Sequence, residues 1–285
     1  MINALTIDVE DYFQVNAFAR HIRREDWDFY PLRVEDNTRR ILEMLDEFSL
    51  KATFFILGWV AERLPSLVRE IQARGHEIAC HGYGHELIYS IGPDLFRKDI
   101  CKSKKILEDI CGERVSGYRA PSYSITRQSL WALDILIEEG FTYDSSIFPV
   151  THDTYGIPDA QRFPHRLQTA AGSLVEFPLT TLPLQLGWKN VRLPIAGGGY
   201  LRLLPVSIIR RGITAINQRE RQSAVLYFHP WEIDPEQPRI KAGMRSRFRH
   251  YVNLHRTKGK LEYLFSRLEF APMRAVLAEH GFTCD

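Results

Sequence analysis

The chain has 285 residues, 45% of them hydrophobic, with 37 Lys+Arg against 35 Asp+Glu and a formal net charge of +2. That length suits one large domain or two small ones, the balanced charge gives no reason to expect a polyanionic partner such as nucleic acid, and no apolar run approaches the ~18 residues that cross a bilayer. The four cysteines, Cys80, Cys101, Cys111 and Cys284, form no CxxC pair and read as free thiols; with an N-terminus unlike a signal peptide, they predict a soluble cytoplasmic protein.

Leu5-Thr6-Ile7-Asp8-Val9-Glu10-Asp11 begins as a buried strand and ends in acids. Carboxylates at the end of an α/β strand point to an active site, because the carboxyl ends of parallel strands open at one rim. The two-residue period puts Asp8 and Glu10 on one face and Asp11 on the other. Residues 21–33 mix charges and aromatics without a period and read as a long loop. Residues 34–48 place Ile41, Leu42, Leu45 and Phe48 at helical spacing. A strand at 52–56 and a helix at 65–74, with Pro65 at its start and Gly75 at its end, follow. Glu77 to Cys80 is the strand that delivers His81-Gly82-Tyr83-Gly84-His85. Two imidazoles at this spacing can close on one divalent ion, and the glycines between them favour a turn over a helix interior.

A helix at 93–110, a short strand ending at Arg119, a helix at 130–139 and a brief strand at 141–144 continue the pattern. Strand and helix in alternation predict parallel strands with right-handed crossovers. Regularity weakens from about 145 to 204, where prolines punctuate the chain, with a strand at 174–178. Gly197-Gly198-Gly199 lacks the spacing of a nucleotide loop and reads as a backbone turn near the site rim. A helix at 205–217 precedes the apolar strand Ser223 to Phe228, which ends in His229. The basic stretch 239–256 reads as a solvated surface arm, with contact to an anionic sugar or nucleotide as the alternative. Helices at 259–270 and 272–279 close the chain.

Asp8 to Asp11, the His81/His85 pair, Arg119 and His229 thus stand at four strand ends that a parallel barrel brings to one rim. Taken in order, these motifs resemble the polysaccharide deacetylase family (NodB homology, carbohydrate esterase family four). The segments that carry the resemblance are Thr6 to Asp11, His81 to His85, Arg119-Ala120-Pro121-Ser122-Tyr123, Tyr143-Asp144-Ser145-Ser146 and Leu226-Tyr227-Phe228-His229. More narrowly, Asp-Val-Glu-Asp-Tyr-Phe at residue 8, Phe-His-Pro-Trp-Glu at 228 and the run from Gly197 to Pro205 resemble the intracellular branch that accompanies exosortase-linked exopolysaccharide loci. That branch is similar to the allantoinase-like and peptidoglycan-deacetylase-like group.

The resemblance implies a distorted (β/α) barrel of about seven parallel strands over residues 1–232, with an insertion at about 145–205 and a helical C-terminal extension at 233–285. It implies a divalent metal, Zn2+ above others, on His81, His85 and one carboxylate. The family's commonest pattern has adjacent aspartates, and Val9 occupies the second place here, so Glu10 is the implied ligand and Asp11 its rival. Asp8 matches the general base, Arg119 the residue that fixes it, and His229 the general acid. The backbone N–H of Ser122 would donate to the oxyanion, Asp144 would orient His229 or shape the pocket, and Tyr123, Trp231 and Glu232 would line a sugar site. The implied activity is removal of N-acetyl groups from amino sugars of a glycan or glycan precursor in exopolysaccharide biosynthesis. Hydrolysis of a cyclic amide, as in the allantoinase-like relatives, and a non-catalytic glycan-binding scaffold are the alternatives. Homo-oligomerisation is left open.

Overall fold

The computed structural model describes residues 1–186 and 189–283, so Cys284 lies outside the described residues. Its elements in chain order are β1 (Asn3–Val9), α1 (Val34–Glu47), β2 (Thr53–Ile56), α2 (Gly58–Arg63), α3 (Pro65–Ala73), β3 (Glu77–Cys80), α4 (Ile88–Cys111), β4 (Gly117–Tyr118), α5 (Trp131–Glu138) and β5 (Tyr143–Asp144). There follow β6 (His165–Thr169), β7 (Gly172–Glu176), β8 (Thr181–Leu186), β9 (Lys189–Pro194), α6 (Gly198–Leu203), α7 (Val206–Ala215), β10 (Val225–Phe228), α8 (Met244–Tyr251), α9 (Leu254–Phe265), β11 (Phe270–Ala271) and α10 (Met273–Glu279).

The main sheet runs β10-β1-β2-β3-β4-β5-β7-β6, and every neighbouring pair except β7-β6 is parallel. Seven strands along that path therefore share one direction, with helices between them. Beyond β7, Thr180 closes the curve: its Oγ1 accepts from the Val225 N–H at 2.6 Å and donates to the Val225 carbonyl at 3.0 Å. This is the expected α/β architecture, a mostly parallel sheet bent into a distorted barrel.

Strand alternation divides the apolar residues into two sets. Leu5, Ile7 and Val9 of β1, Ile56 of β2 and Leu226 and Phe228 of β10 belong to the layer under the helices. Ala4, Phe55, Ala79, Val225 and Tyr227 belong to an inner cluster that also takes Met273, Val276 and Leu277 of α10, so α10 plugs the floor of the barrel. The positions two residues beyond the inward ones face the lumen at the open end.

Three features depart from expectation. The antiparallel hairpins β6-β7 and β8-β9 lie where irregular chain was expected apart from a strand at 174–178, which β7 overlaps. Pro183 reads as a breaker, but a two-stranded ribbon tolerates it because the missing N–H leaves no central ladder bond unmade. Residues 270–271, expected at a helix end, instead pair with β1. The basic stretch is not wholly a solvated arm, since His250 is buried.

Candidate active site

The rim of the barrel is built by that inward register. Asp8 lies on the lumen face of β1 and Glu10 is two residues on; His81 follows Ala79, Arg119 follows Gly117 and His229 follows Tyr227 by the same step. Arg119 is fully buried in the lumen. Its guanidinium donates to Asp8 Oδ1 at 2.6 Å and Thr6 Oγ1 at 2.7 Å, and to the Ser145 carbonyl at 3.1 Å and Ser145 Oγ at 3.0 Å. Four acceptors, two on β1 and two on Ser145 just after β5, fix the arginine, and the arginine fixes Asp8.

The His81 to His85 segment is a turn, as its glycines imply. Gly82 has φ +73, and a Cβ there would lie 2.8 Å from Asp99 Oδ2. The Asp99 carboxylate, from α4, accepts from the Tyr83 N–H at 2.8 Å and the Gly84 N–H at 3.1 Å. Arg24 donates to the carbonyls of Gly84 and His85. His85 itself sits at φ +52, a left-handed conformation that these surrounding bonds impose.

Glu10, His81 and His85 each offer a ligand atom, and those atoms lie within 4.8 Å of one another. The donor set fits a divalent metal on three counts. His81 Nδ1 lies 2.8 Å from the Arg119 carbonyl, which can only accept, so the proton is on Nδ1 and the Nε2 lone pair is free. Burial holds the His81 pKa down at about 4, which keeps the ring a neutral ligand. Glu10 Oε2 is buried against the other ligand atoms, 2.7 Å from His85 Nε2. Burial pushes the Glu10 carboxyl up, but His85 and His229, with His81, outweigh it and hold it at about 2. Asp11 is turned elsewhere: Oδ2 accepts the N–H groups of Arg33 at 2.7 Å and Val34 at 2.9 Å, at the start of α1, and Oδ1 accepts that of Tyr12. Period-two parity separates the two acids, as the alternation of β1 anticipates.

His229 Nε2 lies 3.6 Å from Glu10 Oε1 and 3.9 Å from Asp8 Oδ2. Its Nδ1 donates to Glu232 Oε2 at 2.9 Å, and Glu232 Oε1 accepts from Arg202 Nε at 2.6 Å. Burial lowers the His229 pKa, but Glu10, Glu232 and Asp8 together raise it to about 9. Trp231 donates from Nε1 to Glu10 Oε1 at 3.2 Å. Its ring stacks between those of His229 and His250, at centroid distances of 5.2 and 4.1 Å.

Asp144 does not orient His229; Glu232 does. Tyr143 and Val175 are paired in register and belong to the inner cluster, so alternation turns Asp144 and Glu176 to the other face of the sheet. There Asp144 accepts from Ser146, and burial lifts its pKa to about 6 and that of Glu176 well above the carboxylate range. Ser122 and Tyr123 both adopt left-handed backbone, at φ +53 and +54, in the turn after Pro121. The Tyr123 ring is buried against Tyr227 at 5.2 Å and Phe148 at 5.4 Å. Gly197 belongs to this wall too: a Cβ there would fall 2.0 Å from the Tyr227 ring. The sequence did not single out Arg202, Asp99 or His250 as parts of the site, and it placed Glu232 at the sugar pocket, whereas Glu232 holds His229. That role is legible in its place three residues after His229, on the same side of a helical turn.

Residues 26–137 match the polysaccharide deacetylase family model. That segment is similar to polysaccharide deacetylases. Residues 145–278 match a second model, a domain of unknown function (DUF3473). The chain is 36% identical over 98 residues to a peptidoglycan-N-acetylglucosamine deacetylase of Bacillus cereus, covering 34% of this chain and 36% of that one. It is 36% identical over 85 residues to a chitooligosaccharide deacetylase of Azorhizobium caulinodans, covering 30% and 40%. These matches span about a third of the length of the curated relatives. The crystal structure of a presumed polysaccharide deacetylase from Mycobacterium smegmatis superposes with a TM-score of 0.60 at 26% identity, covering 98% of this chain and 89% of that one. Among the described residues no helix is long and apolar enough to cross a membrane.

Proposed function

We propose that this chain hydrolyses the N-acetyl amide of amino sugars in a glycan or glycan precursor, with a divalent metal at Glu10, His81 and His85. The observation that carries the reading is the meeting of that three-ligand cluster with a carboxylate held by a buried arginine and an imidazole held by a buried carboxylate. A bound ion, zinc by the preference of two imidazoles and one carboxylate, would supply Lewis-acid polarisation of the acyl carbonyl and of the attacking water.

The protein's own groups supply the rest. Asp8 accepts the proton of the water as the new C–O bond forms. Arg119 keeps the Asp8 carboxylate aimed and leaves Oδ2 for that proton. The Ser122 N–H donates to the oxyanion, its amide presented by the left-handed turn. His229 gives its Nε2 proton to the nitrogen as the C–N bond breaks, and acetate and free amine depart. Glu232 orients the imidazole and balances its charge. Tyr123 and Trp231 bound the sugar side.

The narrower setting, cytoplasmic exopolysaccharide biosynthesis, is supported by the Phe228 to Glu232 and Gly197 to Pro205 runs. Both frame His229 here, through Glu232 and Arg202. Cys80, Cys101 and Cys111 are free thiols, which fits a reducing compartment.

Metal content and acetate release from N-acetylglucosamine oligomers, measured on wild type and His81→Ala, test the proposal. His81→Ala should lose bound zinc, and acetate release should fall by about a thousandfold or more, the scale of removing an essential catalytic group. Full activity in that variant sinks the mechanism. Turnover of allantoin instead of sugar amides would keep the chemistry and change the substrate class.

A further inference from the structure

The net charge of +2 conceals one uneven stretch: residues 237–261 hold eight Lys and Arg and no Asp or Glu. Part of this stretch is the exposed face of α8. Lys241, Arg247 and Arg249 make no ion pair among the described residues, and Arg245 reaches only Asp153, at 3.9 Å with both side chains 76% exposed. Arg239 lies over the Tyr251 ring at 4.3 Å. The cations here are therefore turned to solvent rather than spent on the fold.

Two large apolar side chains stand among them. Met244 is 87% and Phe248 62% exposed. At about 100° of turn per residue, Met244 and Phe248 lie within about 40° of each other. Arg247 falls about 60° to one side of this stripe, and Arg245 and Arg249 fall about 60° and 100° to the other. His250, on the far side of the helix, is buried. An apolar stripe bracketed by arginines is the pattern of a helix lying in a membrane interface, where the apolar side chains enter the acyl boundary and the arginine stems lie along it with their heads at the phosphates. A soluble polyanion would take up the arginines and leave Met244 and Phe248 in water. A second copy of this surface would set arginine against arginine.

We infer that the outer face of α8, with the basic stretch before it, is a docking surface for a membrane rich in anionic phospholipid. The inference goes beyond the deacetylase reading and does not depend on it. Its consequence for the site is positional: the His250 ring stacks on Trp231, which stacks on His229, so a docked α8 holds the catalytic rim beside the bilayer surface.

The full chain is sedimented with vesicles of phosphatidylcholine alone and with vesicles that contain about 30% phosphatidylglycerol. Wild type should bind the anionic vesicles at least about tenfold more tightly than the neutral ones, and the excess should collapse as salt rises from about 0.05 M to about 0.5 M. Each arginine near such a surface contributes about fivefold, so Arg247→Glu/Arg249→Glu should weaken anionic-vesicle binding about 25-fold or more. Met244→Ser/Phe248→Ser should weaken it about tenfold while retention on heparin stays at the wild-type level. All four side chains are exposed, so neither pair of substitutions disturbs the core. Equal binding to neutral and anionic vesicles, or to neither, overturns the inference. Full vesicle binding by the Met244/Phe248 variant overturns it too and assigns the stretch to a soluble polyanion. Vesicle binding without acetate release keeps the docking surface and removes the deacetylase reading; acetate release without vesicle binding does the reverse.

Discussion

On the N-terminal side of the site the reactive groups are placed by backbone register. Asp8, Glu10, His81 and Arg119 extend the inward rows of β1, β3 and β4, and one buried guanidinium ties Asp8 in place. On the C-terminal side, within residues 145–278, His229 also follows a strand, but its direction is set by a chain of side chains. Glu232 holds Nδ1, Arg202 holds Glu232, and Arg202 in turn donates to the His250 carbonyl at 2.6 Å. The first arrangement draws its precision from the sheet, and the second from a buried ion pair between separate segments. Side-chain relays should therefore be the more fragile of the two, and they should fail in stability as well as in rate.

The largest break is expected at Arg202. Arg202 and Glu232 are both buried. Removing one partner of such a pair leaves an uncompensated buried charge, at a cost of about 3–5 kcal/mol. Arg202→Met should lower the unfolding free energy by roughly 3 kcal/mol in denaturant titration and reduce turnover. A loss under about 1 kcal/mol would mean the relay carries little of the C-terminal fold.

Glu232→Gln is a finer cut. It keeps the shape and removes the charge that orients and balances His229. Turnover should drop about 10- to 100-fold, the usual effect of removing a supporting carboxylate, with KM nearly constant. Bound zinc should stay at wild-type level, because Glu232 is not among the cluster residues. Metal loss on the same substitution would erase the distinction between the two sides.

How much of this was legible follows the same division. Register placement is written in local sequence: an apolar strand, then a polar residue at the inward parity, and so Asp8, Glu10, His81, Arg119 and His229 could be read off. The family resemblance implies Glu10 over Asp11, and the same two-residue rule agrees with it. Asp144 misled because its strand is two residues long, too short for a pattern to reveal which face it takes. Arg202 and His250 lie 27 residues before and 21 after His229 and meet it only through the fold. Arg202 sits among leucines behind a glycine run, and His250 sits within a basic stretch, so each looked like its surroundings. No local pattern records a contact made by tertiary packing.

The smallest effect concerns His250, where the relay meets the C-terminal helices. Its ring stacks on Trp231, its Nε2 lies 2.6 Å from Gln237 Oε1, and burial, with Arg202 adjacent, holds its pKa down at about 3. An unfolded histidine titrates near ~6.5. Above that pH both states are neutral and the contribution is fully present. As pH falls from about 6.5 towards 3, the unfolded chain takes up a proton that the folded chain refuses, so stability declines by up to about 1.4 kcal/mol per unit. His250→Phe keeps the stacking and removes the titration. Unfolding free energies at pH 7, 6 and 5 should fall less steeply in this variant than in wild type, with the gap widening at each step. Parallel slopes would show that the folded protein admits the proton, and that the stack between His229 and the C-terminal helices is open to solvent rather than a sealed part of the relay.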